Sequence, residues 1–424
     1  MTDDLMKSSG SGDAGNSTHA DEQRLYPKVR FRGFDEPWKK VKLGEIATTY
    51  SGGTPKAGNK KYYNGLIPFI RSGEIHSNKT ELFISEAGLK NSSAKMVTKG
   101  DLLYALYGAT SGEVDISKIN GAINQAVLAI IPKQYNPYII SLLLSKKKDA
   151  ILSKYLQGGQ GNLSAEIVKS IKLILPSKNE ESSLYPLFKV LDNLLSLQQR
   201  KLELEKQLKF FLFQNAIPSK EAVIFKPKIR FREFQDKWKY AKLSEIYNTD
   251  CSGGTPSVKN KTFYGGNIPF LTISDLNNKK IYKTQKTLSK KGLENSSAKL
   301  VPAGSISLAM YASVGKIGIL SKEMATSQAF FNMTFDDDEK RDFIYIILEK
   351  ANFDKEWIRL ISTGTQNNLN AKKIRNFHIV FPTYKALKGL NKLFCNIDTD
   401  IDIQYKVIVT TNQLKQFLLQ NLFI

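Results

Sequence analysis

Ser51-Gly52-Gly53-Thr54-Pro55 returns 201 residues later as Ser252-Gly253-Gly254-Thr255-Pro256. Working outward, neighbour after neighbour returns too. Upstream, Val29-Arg30-Phe31-Arg32 matches Ile229-Arg230-Phe231-Arg232, and Trp38, Lys42-Leu43 and Glu45-Ile46 match Trp238, Lys242-Leu243 and Glu245-Ile246. Downstream, Ile67-Pro68-Phe69 matches Ile268-Pro269-Phe270, and Asn91 to Lys95 matches Asn295 to Lys299. Tyr107 matches Tyr311, Gln125-Ala126 matches Gln328-Ala329, and Pro176 matches Pro382. The offset drifts only from 200 to 206. Two copies of so long a unit are not a solenoid. They predict two similar domains related by an approximate two-fold.

The rest of the chain bounds what those domains can do. Among 424 residues, 62 Lys+Arg face 40 Asp+Glu, a net charge of +22. Such an excess points to a polyanion, nucleic acid above all. Residues 25–176 hold 22 basic and 11 acidic side chains and residues 225–382 hold 26 and 15, so each copy carries +11. The intervening segments 177–217 (6 against 5) and 383–424 (5 against 3) are close to neutral. Cys251 and Cys395 cannot form a disulfide framework, and three histidines supply metal sites poorly. Both facts fit a cytoplasmic protein. No apolar run is long enough for a membrane span. Residues 1–24 lack an apolar core and are expected to be a disordered leader rather than a signal peptide.

Each copy divides into a loop-rich α/β (α+β) domain, 25–176 or 225–382, and a helix, 177–217 or 383–424, with 218–224 as linker. Ala126 to Ile131 and Ile171 to Leu175 read as buried strands. Ser177-Lys178-Asn179-Glu180 reads as a capping box. Leu184, Leu187/Phe188, Leu191, Leu194/Leu195 and Leu202 then form one stripe, continued after a shift by Leu204, Leu208 and Phe211. Leu390, Phe394, Ile397, Ile401, Ile408 and Phe417/Leu418 form another, with a kink or fraying expected at Val407 to Thr411. Two such helices are expected to pair as an antiparallel coiled coil.

Catalytic motifs are wanting. Gly315-Lys316 lacks the first glycine and the Ser/Thr of a phosphate-binding loop. Asn136-Pro137-Tyr138 reads as a turn, and Asp336-Asp337-Asp338-Glu339 as a solvated loop. The ordered set Trp38, Lys42 to Glu45, Ser51 to Pro55, Ile67 to Phe69, Ser92 to Lys95, Asn124 to Ala126 and Gly159 to Ser164, then the helix with Leu191-Asp192 and Leu197 to Glu203, resembles the specificity subunit of a bacterial type I restriction-modification system. That resemblance implies two target-recognition domains joined by two long antiparallel helices. Each domain would read half of a bipartite, asymmetric double-stranded DNA site. The helices would dock two methyltransferase subunits, and ATP-dependent restriction subunits would complete the complex. No cofactor is expected in this chain. S-adenosylmethionine, ATP and Mg would sit on the partners. The second copy departs from the pattern at Ser327, at Asn370 and at Gln404 to Val407. A self-contained modifying enzyme, or a coiled-coil protein that binds RNA, are the alternatives.

If the two copies read different half-sites, shared residues serve the fold and differing polar loop residues read bases. Candidates in the first copy are Lys60, Lys61, Tyr62, Arg71, Ser72, Glu74, His76, Asn78, Lys79, Thr110 and Ser111, with Gln160 and Asn162. In the second they are Lys259, Asn260, Lys261, Thr272, Ser274, Asp275, Asn277, Asn278, Lys279, Ser313 and Lys316, with Gln366 and Asn368. Any one of these is as readily a solvated surface group. Tyr107 and Tyr311 suit the core, and the Gly-Gly-Thr-Pro segments suit turns more than phosphate cradles. On the helices, Gln198, Arg200, Lys201, Glu205, Gln404 and Lys406 are the docking candidates that follow from the resemblance.

Overall fold

The glycines of the repeated turn have no room for a side chain. A Cβ on Gly52 would lie 1.8 Å from the Ile123 carbonyl oxygen, and one on Gly53 would lie 1.8 Å from Ser93 Oγ. In the second copy the clashes recur, Gly253 against Thr326 O and Gly254 against Ser297 Oγ. Thr54 Oγ1 then donates to Gln125 Oε1 at 2.5 Å, and Thr255 Oγ1 to Gln328 Oε1 at 2.7 Å. Three sequence-distant repeated motifs thus meet at one clip. Asn124 Oδ1 accepts the Ala126 N–H in the first copy, and Ser327 Oγ accepts the Ala329 N–H in the second. Ser327 therefore preserves the turn that its departure from Asn put in question.

The computed structural model describes residues 6–8, 25–156, 162–222, 224–234, 237–361 and 369–424. The chain forms two compact units, residues 1–198 with 407–424, and residues 199–406. In the first, one four-stranded sheet runs Phe83–Ile84, Tyr63–Ile70, Gly121–Ile123, Lys95–Val97. A second runs Ala47–Ser51, Val127–Pro132, Leu102–Ala105, Val114–Ile116. Val127–Pro132 is central there and buries Val127 to Ile130 completely, as its unbroken apolar run predicts. Lys172–Leu175 pairs antiparallel with Lys39–Lys42. The second unit repeats both sheets and the ribbon in the same order. It adds one strand, Lys280–Ile281, parallel to Ile317–Leu320. Met6–Ser8, within the expected leader, pairs antiparallel with Val29–Phe31.

Two short readings change. Asn136-Pro137 begins the helix Pro137–Tyr155, with Asn136 Oδ1 accepting the Tyr138 N–H at 2.9 Å. Asp337 is no loop residue but the cap of the helix Asp338–Phe353, accepting the N–H groups of Glu339 and Lys340. Acidic residues suit that end because the helix dipole is positive there.

The long helices are Lys178–Asn215 and Tyr384–Leu422, each about 57 Å at 1.5 Å per residue. In the first unit Phe188 meets Phe423, with ring centroids 5.3 Å apart, and Asp192 meets Lys415 at 2.5 Å. In the second unit Phe213 stacks on Phe394 at 5.1 Å, and Lys209 meets Asp398 at 2.6 Å. Within each unit, rising numbers on one helix meet falling numbers on the other, so the pairing is antiparallel. The inward positions follow a strict four-three spacing. In the first unit they are 184, 188, 191, 195 and 198 with 408, 411, 415, 418 and 422. In the second they are 202, 205, 209, 212 and 216 with 390, 394, 397, 401 and 404. Leu204, Leu208 and Phe211 do not continue this seam. They are about half exposed, on another face. The second helix is continuous through Val407 to Thr411, so no fraying occurs there, and Thr411 is buried. Pro186, which the periodicity did not anticipate, sits inside the first helix.

The expected capping box is only half formed. The Glu180 N–H donates to Ser177 Oγ at 3.3 Å. The Glu180 carboxylate turns into the core instead, where Arg30 Nε, Arg30 Nη2 and Trp38 Nε1 each donate to it at 2.8 Å. In the second copy Ala386 stands 206 residues on, and beside Trp238 there is an apolar cavity of about 110 Å³.

A second clamp ties the loop after Tyr63–Ile70 to the neighbouring hairpin. His76 Nδ1 lies 3.0 Å from Asp115 Oδ2 and Nε2 lies 3.4 Å from Glu113 Oε2, while Lys118 Nζ donates to the His76 carbonyl. The Asp115 hydrogen bond raises the His76 pKa, outweighing desolvation.

Two outcomes follow. Glu180→Ala leaves the Arg30 guanidinium buried without its partner and should cost about 3–5 kcal/mol in urea denaturation of the full chain; a loss under about 1 kcal/mol would contradict the pairing. His76 should titrate above the unfolded value of about 6.5. Its clamp then stabilises fully below that value and is lost as pH rises through the raised folded one. Asp115→Asn should bring the His76 ring resonances back toward the unfolded midpoint.

Candidate nucleic-acid interface

Lys60–Tyr62 is a single 3₁₀ turn, capped by Asn59, whose side chain accepts the Lys61 N–H at 3.1 Å. Lys60 and Lys61 are exposed. In the second copy Asn260 plays the cap for Lys261–Phe263, accepting both the N–H and the Oγ1–H of Thr262. Its side-chain oxygen is engaged in the turn rather than offered to a base. Lys259 and Lys261 remain exposed beside it.

The strand that follows carries the next group of candidates to its far end, up to about 26 Å away for eight residues. Ser72–Glu74 is another 3₁₀ turn. Arg71, one of the base-reading candidates, already spends its fork. Nε and Nη2 donate to the two Glu74 oxygens at 3.0 Å, and Nη2 also reaches Glu81 at 2.7 Å. Burial alone would push Glu74 up, but hydrogen bonds from Arg71 and the Glu81 N–H hold its pKa at about 2. In the second copy Asp275 holds the matching turn, accepting the Thr272 N–H at 2.8 Å and its hydroxyl at 2.6 Å. Glu74 and Asp275 are therefore turn-holding groups. His76 is engaged by its clamp. Ser72 is half-buried, whereas Asn78 and Lys79 are exposed.

Lys279 is the plainest correction. Its Nζ lies 2.9 Å from Asp398 on the second long helix and 5.0 Å from the Tyr345 ring centre. There it joins Lys209 and Glu349, which pair with each other and hold the domain to the helices of the second unit. A contact across 119 residues gives no local signal in the sequence. Ser274 and Asn277 are exposed but turned to local hydrogen bonds, Ser274 Oγ with Thr272 Oγ1 and Asn277 Nδ2 to the Ser274 carbonyl. Asn278 is exposed.

A third loop closes each domain. Asn162 bridges to Tyr107, and the Leu163 N–H donates to the Leu106 carbonyl, which also accepts Ser111 Oγ–H. Thr110, Ser111 and Asn162 are thus brought together. Leu369 N–H donates to Met310 in the second copy, next to half-buried Ser313 and exposed Lys316. Tyr107 and Tyr311 are half-buried and pack against the cores of their units. Gln160, Gln366 and Asn368 lie outside the described residues.

On the helices, Gln198, Glu205 and Gln404 occupy inward seam positions, with Gln404 only 7% exposed. They face the partner helix, not a docking subunit. A single stripe in sequence could not show this, because a second, outward stripe shares its period. Arg200, Lys201 and Lys406 are exposed.

Among the described residues, no cluster of three or more His, Cys, Asp or Glu could hold a metal ion, and no helix is long and apolar enough to cross a membrane. The arrangement offers exposed cations on short, rigidly capped turns around a duplicated scaffold.

The family model for the type I restriction modification DNA specificity domain matches twice, at residues 35–206 and 235–404. The type I restriction enzyme HindI specificity subunit of Haemophilus influenzae is 23% identical, across 85% of this chain and 93% of its own. The MjaIX specificity subunit of Methanocaldococcus jannaschii is also 23% identical, across 91% and 92%. The S subunit from M. genitalium has a similar fold, with a TM-score of 0.62 at 15% identity over 93% of this chain and 97% of its own. With both copies matched in tandem, the chain belongs to the type I restriction-modification DNA specificity family.

Proposed function

We propose that this chain is the non-catalytic specificity subunit of a type I restriction-modification complex and binds a bipartite double-stranded DNA site. The observation that carries the reading is the duplicated scaffold. The same strand order and the same Thr–Gln clip recur in both copies, while exposed residues of the neighbouring turns differ, as Lys61 does from Thr262. Residues 25–176 would read one half-site and residues 225–382 the other. Exposed Lys60, Lys61, Lys79, Lys259, Lys261 and Lys316 would neutralise phosphates, since lysine acts as a point charge. Asn78, Thr110, Asn162 and Asn278 remain the polar candidates for base edges.

Methyl transfer and cleavage would belong to partner subunits that carry S-adenosylmethionine, ATP and Mg. The outward helix faces support docking of methyltransferase subunits. Val190, Leu194 and Leu197 are exposed in the first unit, and Leu204, Leu208 and Phe211 in the second. Arg200, Lys201 and Lys406 would border that surface.

Exchanging residues 25–176 for the corresponding domain of another family member should change one half of the methylated site and leave the other. A change in both halves would overturn the modular reading. Lys60→Ala with Lys61→Ala should weaken duplex binding across sequences and reduce the slope of log affinity against log salt by about 2. The isolated chain should transfer no methyl group from S-adenosylmethionine to DNA.

A further inference from the structure

Leu66 is 95% exposed, more than any other large apolar side chain among the described residues. A lone surface leucine ordinarily needs no explanation. This one stands at the tip of a built feature. Tyr63 and Ile67 both pair with Ile84, so residues 64–66 are extruded from the strand as a bulge. Asn64 takes the left-handed conformation at φ 57°, which asparagine tolerates. Gly65 is pressed so closely on the next strand that a Cβ would lie 2.4 Å from the Ile84 carbonyl oxygen. Both flanks are tied down. Tyr63 Oη donates to the Pro55 carbonyl at 2.6 Å, and Ser85 Oγ donates to the Lys61 carbonyl at 2.6 Å.

The second copy builds the same bulge with a different tip. Tyr264 and Ile268 both pair with Leu288, Gly265 has φ 81°, and a Cβ on Gly266 would meet the Leu288 carbonyl oxygen at 2.5 Å. Tyr264 Oη donates to the Pro256 carbonyl, and Ser289 Oγ to the Thr262 carbonyl. The residue at the place of Leu66 is exposed Asn267. Scaffold shared and tip exchanged is the pattern expected of a position that reads different bases in the two half-sites. Bulges re-aim side chains at functional sites, and each bulged strand directly follows a turn with exposed lysines, Lys60 and Lys61 or Lys259 and Lys261.

We infer that Leu66 and Asn267, at the tips of matching strand bulges, are specificity-determining contacts to base edges, one in each half-site. Leu66 supplies an apolar contact of the kind made to the thymine methyl group. Asn267 supplies the paired donor and acceptor that suit adenine. The inference rests on the DNA-reading role proposed above.

The test uses the full chain assembled with its methyltransferase subunits. Leu66→Asn and Asn267→Leu are made separately, and the methylated motif is mapped together with affinity for a duplex panel. Each variant should change preference at one base pair of one half-site by roughly fivefold to 150-fold. The other half-site and the salt slope should be unchanged, because no charge is altered. Both side chains are exposed, so the melting temperature should hold. An unchanged motif and unchanged affinities in both variants, while Lys60→Ala with Lys61→Ala still weakens binding, would overturn the inference and leave the DNA-reading role standing. No duplex preference in the unaltered complex would overturn that role itself.

Discussion

Apolar burial along the four-three seam of the long helices is the constraint on which everything else rests. Phe188, Leu191 and Leu195 in one unit, and Phe394 and Ile397 in the other, are buried at inward positions. Each such side chain contributes about 1.5–3 kcal/mol on leaving water. The Asp192–Lys415 pair is partly solvated and of a kind that contributes about 1 kcal/mol or less, while attraction in the more buried Lys209–Asp398 pair is largely offset by desolvation. Burial therefore supplies the stability, and the ion pairs select the register. Both pairs recur at an offset of 206, so one set of rules fixes both units.

Much of this was legible in the sequence, and the reason is periodicity. The repeat announced two copies, and the spacing of apolar residues announced helices that needed a partner. Central strands such as Val127–Pro132 were visible as apolar runs. What periodicity could not supply was direction and partnership. Helix 178–215 has two apolar stripes of one period, so Leu204, Leu208 and Phe211 read as part of the inward stripe, and nothing in the period showed that Gln198 and Glu205, docking candidates by resemblance, lie on the seam. Arg71 and Lys279 looked like free cations because their carboxylate partners are set by loop closure and by a contact 119 residues away.

The shared motifs also changed meaning once their surroundings were seen. Gly52, Gly53 and their copies are required by backbone and side-chain atoms less than 2 Å from where a Cβ would sit. Thr54 with Gln125, and Thr255 with Gln328, close the same clip. These residues recur because the scaffold needs them. Variation is left to the capped turns and bulges that the scaffold holds at its surface. Rigid capping matters there, since a base-reading group held by short turns loses little conformational freedom on binding.

The ends of the two long helices do not merely run past the domains. Leu212, Phe213, Ala216 and Ile217 lie in the core of the second unit, and Leu418, Leu419, Leu422 and Phe423 lie in the core of the first, against Trp38 and Phe188. On the ribosome, the domain synthesised first therefore waits for residues emerging more than two hundred positions later. Until they arrive, the surface around Trp38 stays uncovered, and the nascent chain passes through an interval in which it depends on chaperones or speed to avoid aggregation.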